Sequence, residues 1–284
     1  MYYFLSLLTG ILISAMIAFN GGLTQQYGVY SATIIIHIVG LIPLIFLLVA
    51  NKEKPFSKRY PWFLYMGGAI GVLTTVFNNV VFGRISVSAM LAIGLFGQSV
   101  TGIVVDQYGF LGMPKHPFTK RKLIGLSFIL AGIAYMITNF EAVAVILSFS
   151  AGVSVVTGRT FNAKLADLTS VQTSTFYNYV VGLLVSVLAF LLLGGNEALF
   201  PFTISPVWYI YLGGILGVGV VLLSNITVVK VSAFYLTLLI FVGQVFSGIL
   251  IDAIISQELS ARNLIGGVLV GAGLSINLLL DRKK

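Results

Sequence analysis

Ten apolar stretches of about 20 residues, parted by short polar runs, restrict this chain more than any other feature. A helix of that length crosses the hydrocarbon core of a bilayer. The stretches are Tyr2–Leu23, Tyr30–Ala50, Trp62–Phe82, Ser86–Val105, Leu123–Thr138, Ala142–Ala163, Val171–Leu193, Val207–Val228, Ala233–Ile255 and Leu264–Leu280. The fifth and tenth are short and carry glycines. Charged residues make up 8% of the 284 positions and hydrophobic residues 58%. Soluble domains carry roughly 25% charge, so this composition cannot cover a solvated surface. The chain reads as an all-α polytopic membrane protein of ten transmembrane helices. Its brief loops leave no room for a separate soluble domain. No basic segment precedes Tyr2 and no small-residue cleavage site follows, so the first stretch reads as a retained helix and not a signal peptide.

Net charge +8 would suggest nucleic acid in a soluble protein, but here membrane topology accounts for it. With the N-terminus in the cytoplasm, only Arg84 and Arg262 of the 16 Lys and Arg residues fall outside. The reverse orientation would export nearly all of them. Both termini are therefore expected inside.

A repeat organises these helices. Gly97-Gln98-Ser99-Val100-Thr101-Gly102-Ile103-Val104-Val105-Asp106 returns 146 residues later as Gly243-Gln244-Val245-Phe246-Ser247-Gly248-Ile249-Leu250-Ile251-Asp252. At the same offset Trp62, Gly67, Gly68, Gly71, Asn79 and Ser86 match Trp208, Gly213, Gly214, Gly217, Asn225 and Ser232. At offset 142, Gly10, Phe19, Asn20 and Gly40 match Gly152, Phe161, Asn162 and Gly182; at offset 141, Arg121, Gly125 and Gly132 match Arg262, Gly266 and Gly273. Five helices per half is an odd number, so the second half must enter the membrane upside down. The expected architecture is two inverted-topology repeats, residues 1–140 and 141–284, which is a common plan of secondary transporters with a site near the midplane.

The duplicated Trp-x4-Gly-Gly-x2-Gly and Gly-Gln-x3-Gly-x3-Asp patterns resemble the drug/metabolite transporter superfamily, most closely its YdcZ-like branch with two five-helix halves in one chain. The resemblance runs over essentially the whole sequence. It implies a ten-helix fold with a central cavity lined chiefly by helices 1, 3, 4, 6, 8 and 9, and it supplies no substrate.

Candidate site residues follow from polarity inside apolar spans. Gln98 and Gln244 stand mid-span, with Thr101 and Ser247 three residues on and nearly on the same face. Two readings stay open: a neutral, hydrogen-bonding substrate site, or bonds that join helices. Asn20, Asn79, Asn162 and Asn225 are repeat-matched near span ends and either line gates or pack kinked helices; Asn78 and Asn178 add polarity without an identical counterpart. Arg159 is a cation well within the sixth span whose repeat counterpart is Ile17. It either meets an anionic substrate, pairs with an internal acid, or reaches the cytoplasmic face one or two turns away. His37 corresponds to Tyr179 and titrates in the range of proton coupling. Phe96, Tyr177, Tyr179 and Phe241 are candidate cavity aromatics. Asp106 and Asp252 close their spans and are read as caps or tethers, with Arg121 and Arg262 as candidate partners. Pro43 marks a kink candidate.

No mid-span carboxylate is present, which argues against simple proton/cation antiport. No Walker A sequence, no cysteine and only two histidines leave no ATPase, thiol or metal chemistry in view, so no enzyme and no cofactor is expected. The expected function is secondary-active transport of a small organic metabolite or drug-like solute by alternating access. Export is expected from the resemblance, with coupling to protons, sodium or the solute's own gradient. A lipid or lipid-linked precursor flippase and a non-transporting subunit or receptor are the rival readings. The expected partners are the small-molecule substrate and the lipid bilayer, in a monomer or homodimer, without nucleic acid.

Overall fold

The structure is a computed structural model that describes residues 1–112, 120, 122–137, 140–197, 204–228 and 233–282. The side chains of Asp106 and Asn225 lie outside the described residues, as do Lys115, Arg121 and Lys230. Among the described residues the chain forms ten α-helices: α1 (Tyr2–Tyr27), α2 (Val29–Ala50), α3 (Met66–Val81), α4 (Val87–Tyr108), α5 (Lys122–Met136), α6 (Ala142–Leu168), α7 (Val171–Leu193), α8 (Gly213–Val228), α9 (Ala233–Ser256) and α10 (Ala261–Arg282). Seven helical segments are long and apolar enough to cross a membrane, and Leu123–Met136, Trp208–Ser224 and Ala261–Ile276 are shorter apolar helices. Short 3-10 turns, Trp62–Tyr65 and Trp208–Leu212, lead into α3 and α8 and leave both tryptophans exposed, as an interfacial belt requires.

Several helices run past their expected ends, α1 to Tyr27 and α4 to Tyr108 among them. α6 continues to Leu168 instead of stopping near Ala163, and α10 has 22 residues although its apolar part, Ala261–Ile276, is short as expected. Hydropathy falls at these ends, but charge does not stop a helix. Capping does. The Ser170 hydroxyl accepts the Thr173 N–H and opens α7, and the Ser260 hydroxyl accepts the Asn263 N–H in the first turn of α10. α2 passes through Pro43 without a break in its assignment.

The extensive pairings cross between the first 140 residues and the rest. α1 packs on α8 and α9, α6 on α3 and α4, α2 on α7, and α5 on α10. Exchanging each helix for the one five places along the order returns the same set of pairs. Glycines make the closest approaches. Gly10 faces the Ile240 carbonyl and the Gln244 backbone nitrogen; its repeat partner Gly152 faces the Gly94 carbonyl and the Gln98 backbone nitrogen. In the same way Gly68 lies against Asn178 and Gly182, and Gly214 against Ile36 and Gly40. Small residues let the backbones meet, which is the main source of helix association in lipid. The densest apolar core sits among α4, α5, α9 and α10, around Ile93, Ile129, Met136, Phe241, Val245 and Val270.

Carboxylates fasten helix starts. Asp252 accepts the Val87 and Ser88 N–H groups at 2.7 and 2.9 Å and the Ser88 hydroxyl at 2.5 Å, so it caps α4. Glu197 accepts the N–H groups of Val29, Tyr30 and Ser31, each at 2.9 Å, at the start of α2. Glu53 accepts the hydroxyls of Ser170 and Thr173 at the start of α7. An anion suits the positive end of a helix dipole. Arg262 departs from the expected pairing with Asp252. Its Nε donates to the Tyr135 carbonyl at 2.6 Å, and its guanidinium lies over the Tyr135 ring.

Candidate binding cavity

The packing leaves a cavity of about 180 Å³ walled by α1, α2, α3, α6, α7 and α8. The expected wall included α4 and α9, and these lie elsewhere. Gly97 and Gly243 press α4 onto α6 and α9 onto α1, backbone to backbone, and the remaining faces fill the apolar core. Helices α2 and α7 take their place in the wall. A second cavity, of about 600 Å³, lies at helix ends beside residues 82–87 and 252–263, where the Asp252 carboxylate is already engaged as a cap.

Eight of the polar residues singled out in the sequence line the first cavity: Asn20, His37, Asn78, Asn79, Arg159, Asn162, Asn178 and Tyr179. The cavity therefore draws candidates from both halves together. Asn162 donates from Nδ2 to the Asn178 Oδ1 at 2.9 Å, which joins α6 to α7. Asn79 donates from Nδ2 to the Thr33 hydroxyl at 3.3 Å. Asn20 is 6% exposed and its Oδ1 has no hydrogen-bond partner among the described residues. Matched asparagines occupy matched packing positions: Asn20 lies on Gly213, Asn162 on Gly67.

His37 and Tyr179 form one wall with ring centroids 5.6 Å apart. The His37 Nδ1 lies 2.7 Å from the Thr33 carbonyl oxygen. A carbonyl only accepts, so Nδ1 carries the proton, and in the neutral ring Nε2 is the acceptor. The Ser186 hydroxyl donates to the Gly182 carbonyl at 2.7 Å and sits 3.2 Å from the His37 Nδ1. The Tyr179 hydroxyl donates to the Gly214 carbonyl at 3.1 Å. Both rings are held by the fold before any ligand arrives.

Arg159 lies further from the end of its helix than expected. Because α6 ends at Leu168 and not near Ala163, nine residues of helix follow it. Among the described residues Arg159 has no ion pair; the pair found there is Arg84 with Glu141, at 2.9 Å.

The glutamine motif has a different place. Neither Gln98, Thr101, Gln244 nor Ser247 lines this cavity. The Thr101 hydroxyl donates to the Gly97 carbonyl one turn back, at 2.8 Å, and the Ser247 hydroxyl likewise to the Gly243 carbonyl. Gln244 is 4% exposed; its carbonyl accepts the Ser14 hydroxyl at 2.5 Å, and its Oε1 is without a partner among the described residues. Of the candidate aromatics, Phe241 is fully buried in the core, Tyr177 donates to the Pro55 carbonyl at 2.8 Å, and Phe96 packs at a tilt against Phe149. Tyr179 alone of the four lines the cavity.

Sequence reasoning passed over Thr74, Thr75, Ser154 and Ser224, which also line it. Single hydroxyls in apolar helices carry little signal, because they satisfy themselves on the preceding turn. Thr75 and Ser154 do so here, onto Gly71 and Ser150. The Asn162–Asn178 bond was hidden for another reason: nothing at offset 142 from Asn178 repeats the amide.

A family model described as "Putative inner membrane exporter, YdcZ" matches residues 1–135 and again residues 143–276. No curated protein matches the sequence. A solved crystal structure superposes with a TM-score of 0.68 at 15% identity, covering 98% of this chain and 97% of that one. At that identity the likeness concerns the fold alone.

Proposed function

The chain belongs to the YdcZ inner membrane exporter family of the drug/metabolite transporter type, and from that premise we propose secondary-active export of a small organic solute through the α1–α2–α3–α6–α7–α8 cavity. The observation that carries this reading is the cavity itself, whose polar wall is drawn from both halves of the chain. Its volume of about 180 Å³ falls below the roughly 300–1,000 Å³ of sites for drug-sized ligands, so a metabolite-sized solute fits best.

The two halves are inverted repeats with both termini in the cytoplasm, and the site lies between them near the midplane. Alternating access then rocks two mixed units, α1 with α8 and α9 against α6 with α3 and α4. Each unit is tied internally by glycine contacts, which favours this division over one half moving against the other. α2 and α7 stand between the units with His37 and Tyr179.

The test is thermal unfolding of purified protein against small cations, zwitterions, carboxylates, nucleobases and lipid headgroups. A ligand of the folded state raises stability with the logarithm of its concentration over Kd. A shift that Gln98→Ala keeps and Asn79→Leu loses supports the cavity. A response to lipid headgroups alone turns the reading toward a flippase.

A further inference from the structure

We infer that the exported solute carries an anionic group and that Arg159 receives it; this rests on the cavity being the transport site. Of the residues that line the cavity, Arg159 is the one with a formal charge among Lys, Arg, Asp and Glu. Among the described residues it has neither an ion pair nor a hydrogen bond. An uncompensated cation within a membrane helix costs stability, and such residues face partners, water or ligand. The internal acid that would have neutralised it is absent from the cavity wall.

A further observation argues against a packing role for the cation. The repeat-equivalent position is Ile17, which also lines the cavity, so the packing of this fold does not require a cation there.

The neighbouring amides complete the recognition. Asn162 stands one turn after Arg159 and spends its Nδ2 on the Asn178 Oδ1, which fixes the Asn178 amide with its own N–H groups available. An oxyanion in the cavity thus has both a guanidinium fork and an amide donor on the wall around it, the groups that recognise carboxylate or phosphate. Elsewhere on the wall, the unpartnered Asn20 Oδ1 is a buried acceptor that a hydroxyl of the solute would satisfy. The chemistry is that of a small hydroxylated organic anion.

The experiment compares acids with neutral amides of the same shape. Thermal unfolding of the full chain in a neutral detergent is followed with lactate, mandelate and glycerol phosphate, and with lactamide, mandelamide and glycerol, at constant ionic strength. The acids, and not the amides or glycerol, are expected to raise the midpoint of wild type. Arg159→Gln should lower the affinity for the acids at least tenfold, and Arg159→Lys should retain part of it. Should Arg159→Gln fail to fold, Arg159→Lys and Asn178→Leu, each weakening acid binding without affecting amides, carry the same test. Equal shifts from acid and amide would overturn the anion and keep the cavity as the site. No shift from any probe in wild type would overturn both. An Arg159-dependent shift from phosphatidylglycerol alone would overturn a soluble solute and place the anion on a lipid.

Discussion

His37 and Tyr179, which occupy the same position in the two halves, lie against each other in the cavity wall with ring centroids 5.6 Å apart. Each ring rests on the other half's glycine: the Tyr179 ring against Gly40, and the His37 ring against Gly182. The juxtaposition follows from α2 packing on α7, a pairing that exchange of the halves leaves unchanged. Cavity shape is thereby coupled to glycine spacing.

A graded series of glycine substitutions reads this out. A Cβ at Gly152 would strike the Gly94 carbonyl and the Gln98 backbone, which cannot move without separating α6 from α4. Overpacking of this kind costs about 1–3 kcal/mol, so Gly152→Ala should lower the unfolding midpoint by several degrees. The nearest atoms to a Cβ at Gly182 are those of the His37 imidazole, a side chain and not backbone, so Gly182→Ala should cost less stability and alter ligand binding more. Gly102 has nothing within 4 Å, and Gly102→Ala should be neutral or stabilising by up to about 1 kcal/mol through helix propensity. A flat series would contradict the packing.

The carboxylate caps make a second prediction. Glu197 holds three N–H groups of the first turn of α2. Glu197→Ala leaves them without that acceptor and should cost about 1.5–3 kcal/mol, the range for hydrogen bonds to charged groups. Glu53 serves the start of α7 through two hydroxyls, at 2.5 Å each, and Glu53→Ala should lower stability by a smaller amount, because hydroxyls rotate to other acceptors. Calorimetric or fluorescence melts of both variants check the order.

Two buried amides test what the sequence could and could not reveal. The number of helices, their glycine contacts and the repeat were legible because period and spacing are written along the chain. The position of the cavity was not. A glutamine in an apolar run reads the same whether it faces a ligand or a neighbouring helix, and a membrane bundle is apolar on every side. What decides is which glycines flank it: Gly97 and Gly243 press their helices onto α6 and α1, and the amides go with them. Gln244 carries a buried Oε1 that has no partner among the described residues and lies away from the cavity, so Gln244→Leu should keep or raise stability and leave ligand binding unchanged. Asn20 carries an unpartnered Oδ1 on the cavity wall, so Asn20→Leu should likewise keep stability yet weaken binding severalfold. Equal loss of binding in both variants would return the site to the glutamines.

Orientation in the membrane is the last prediction, and the absence of cysteine makes it direct. If both termini are cytoplasmic, the ends of α1, α3, α5, α7 and α9 all reach the outer face. The contacts across these ends agree with such a grouping. Glu197, after α7, meets the start of α2; Asp252, near the end of α9, meets the start of α4; and Arg84, after α3, pairs with Glu141 before α6. Glu53, after α2, meets the start of α7, on the opposite side. These contacts group the helix ends into two faces; the positive-inside rule would put the face of Arg84 and Arg262, which are engaged by Glu141 and Tyr135, outside. Single cysteines at Asn196 and Glu258, both exposed, should react with a membrane-impermeant maleimide in intact cells. A cysteine at Lys58, exposed on the other face, should react only after the membrane is opened. The reverse pattern would invert the protein, and labelling of Asn196 and Lys58 from the same side would break the odd-helix arithmetic on which the inverted repeat depends.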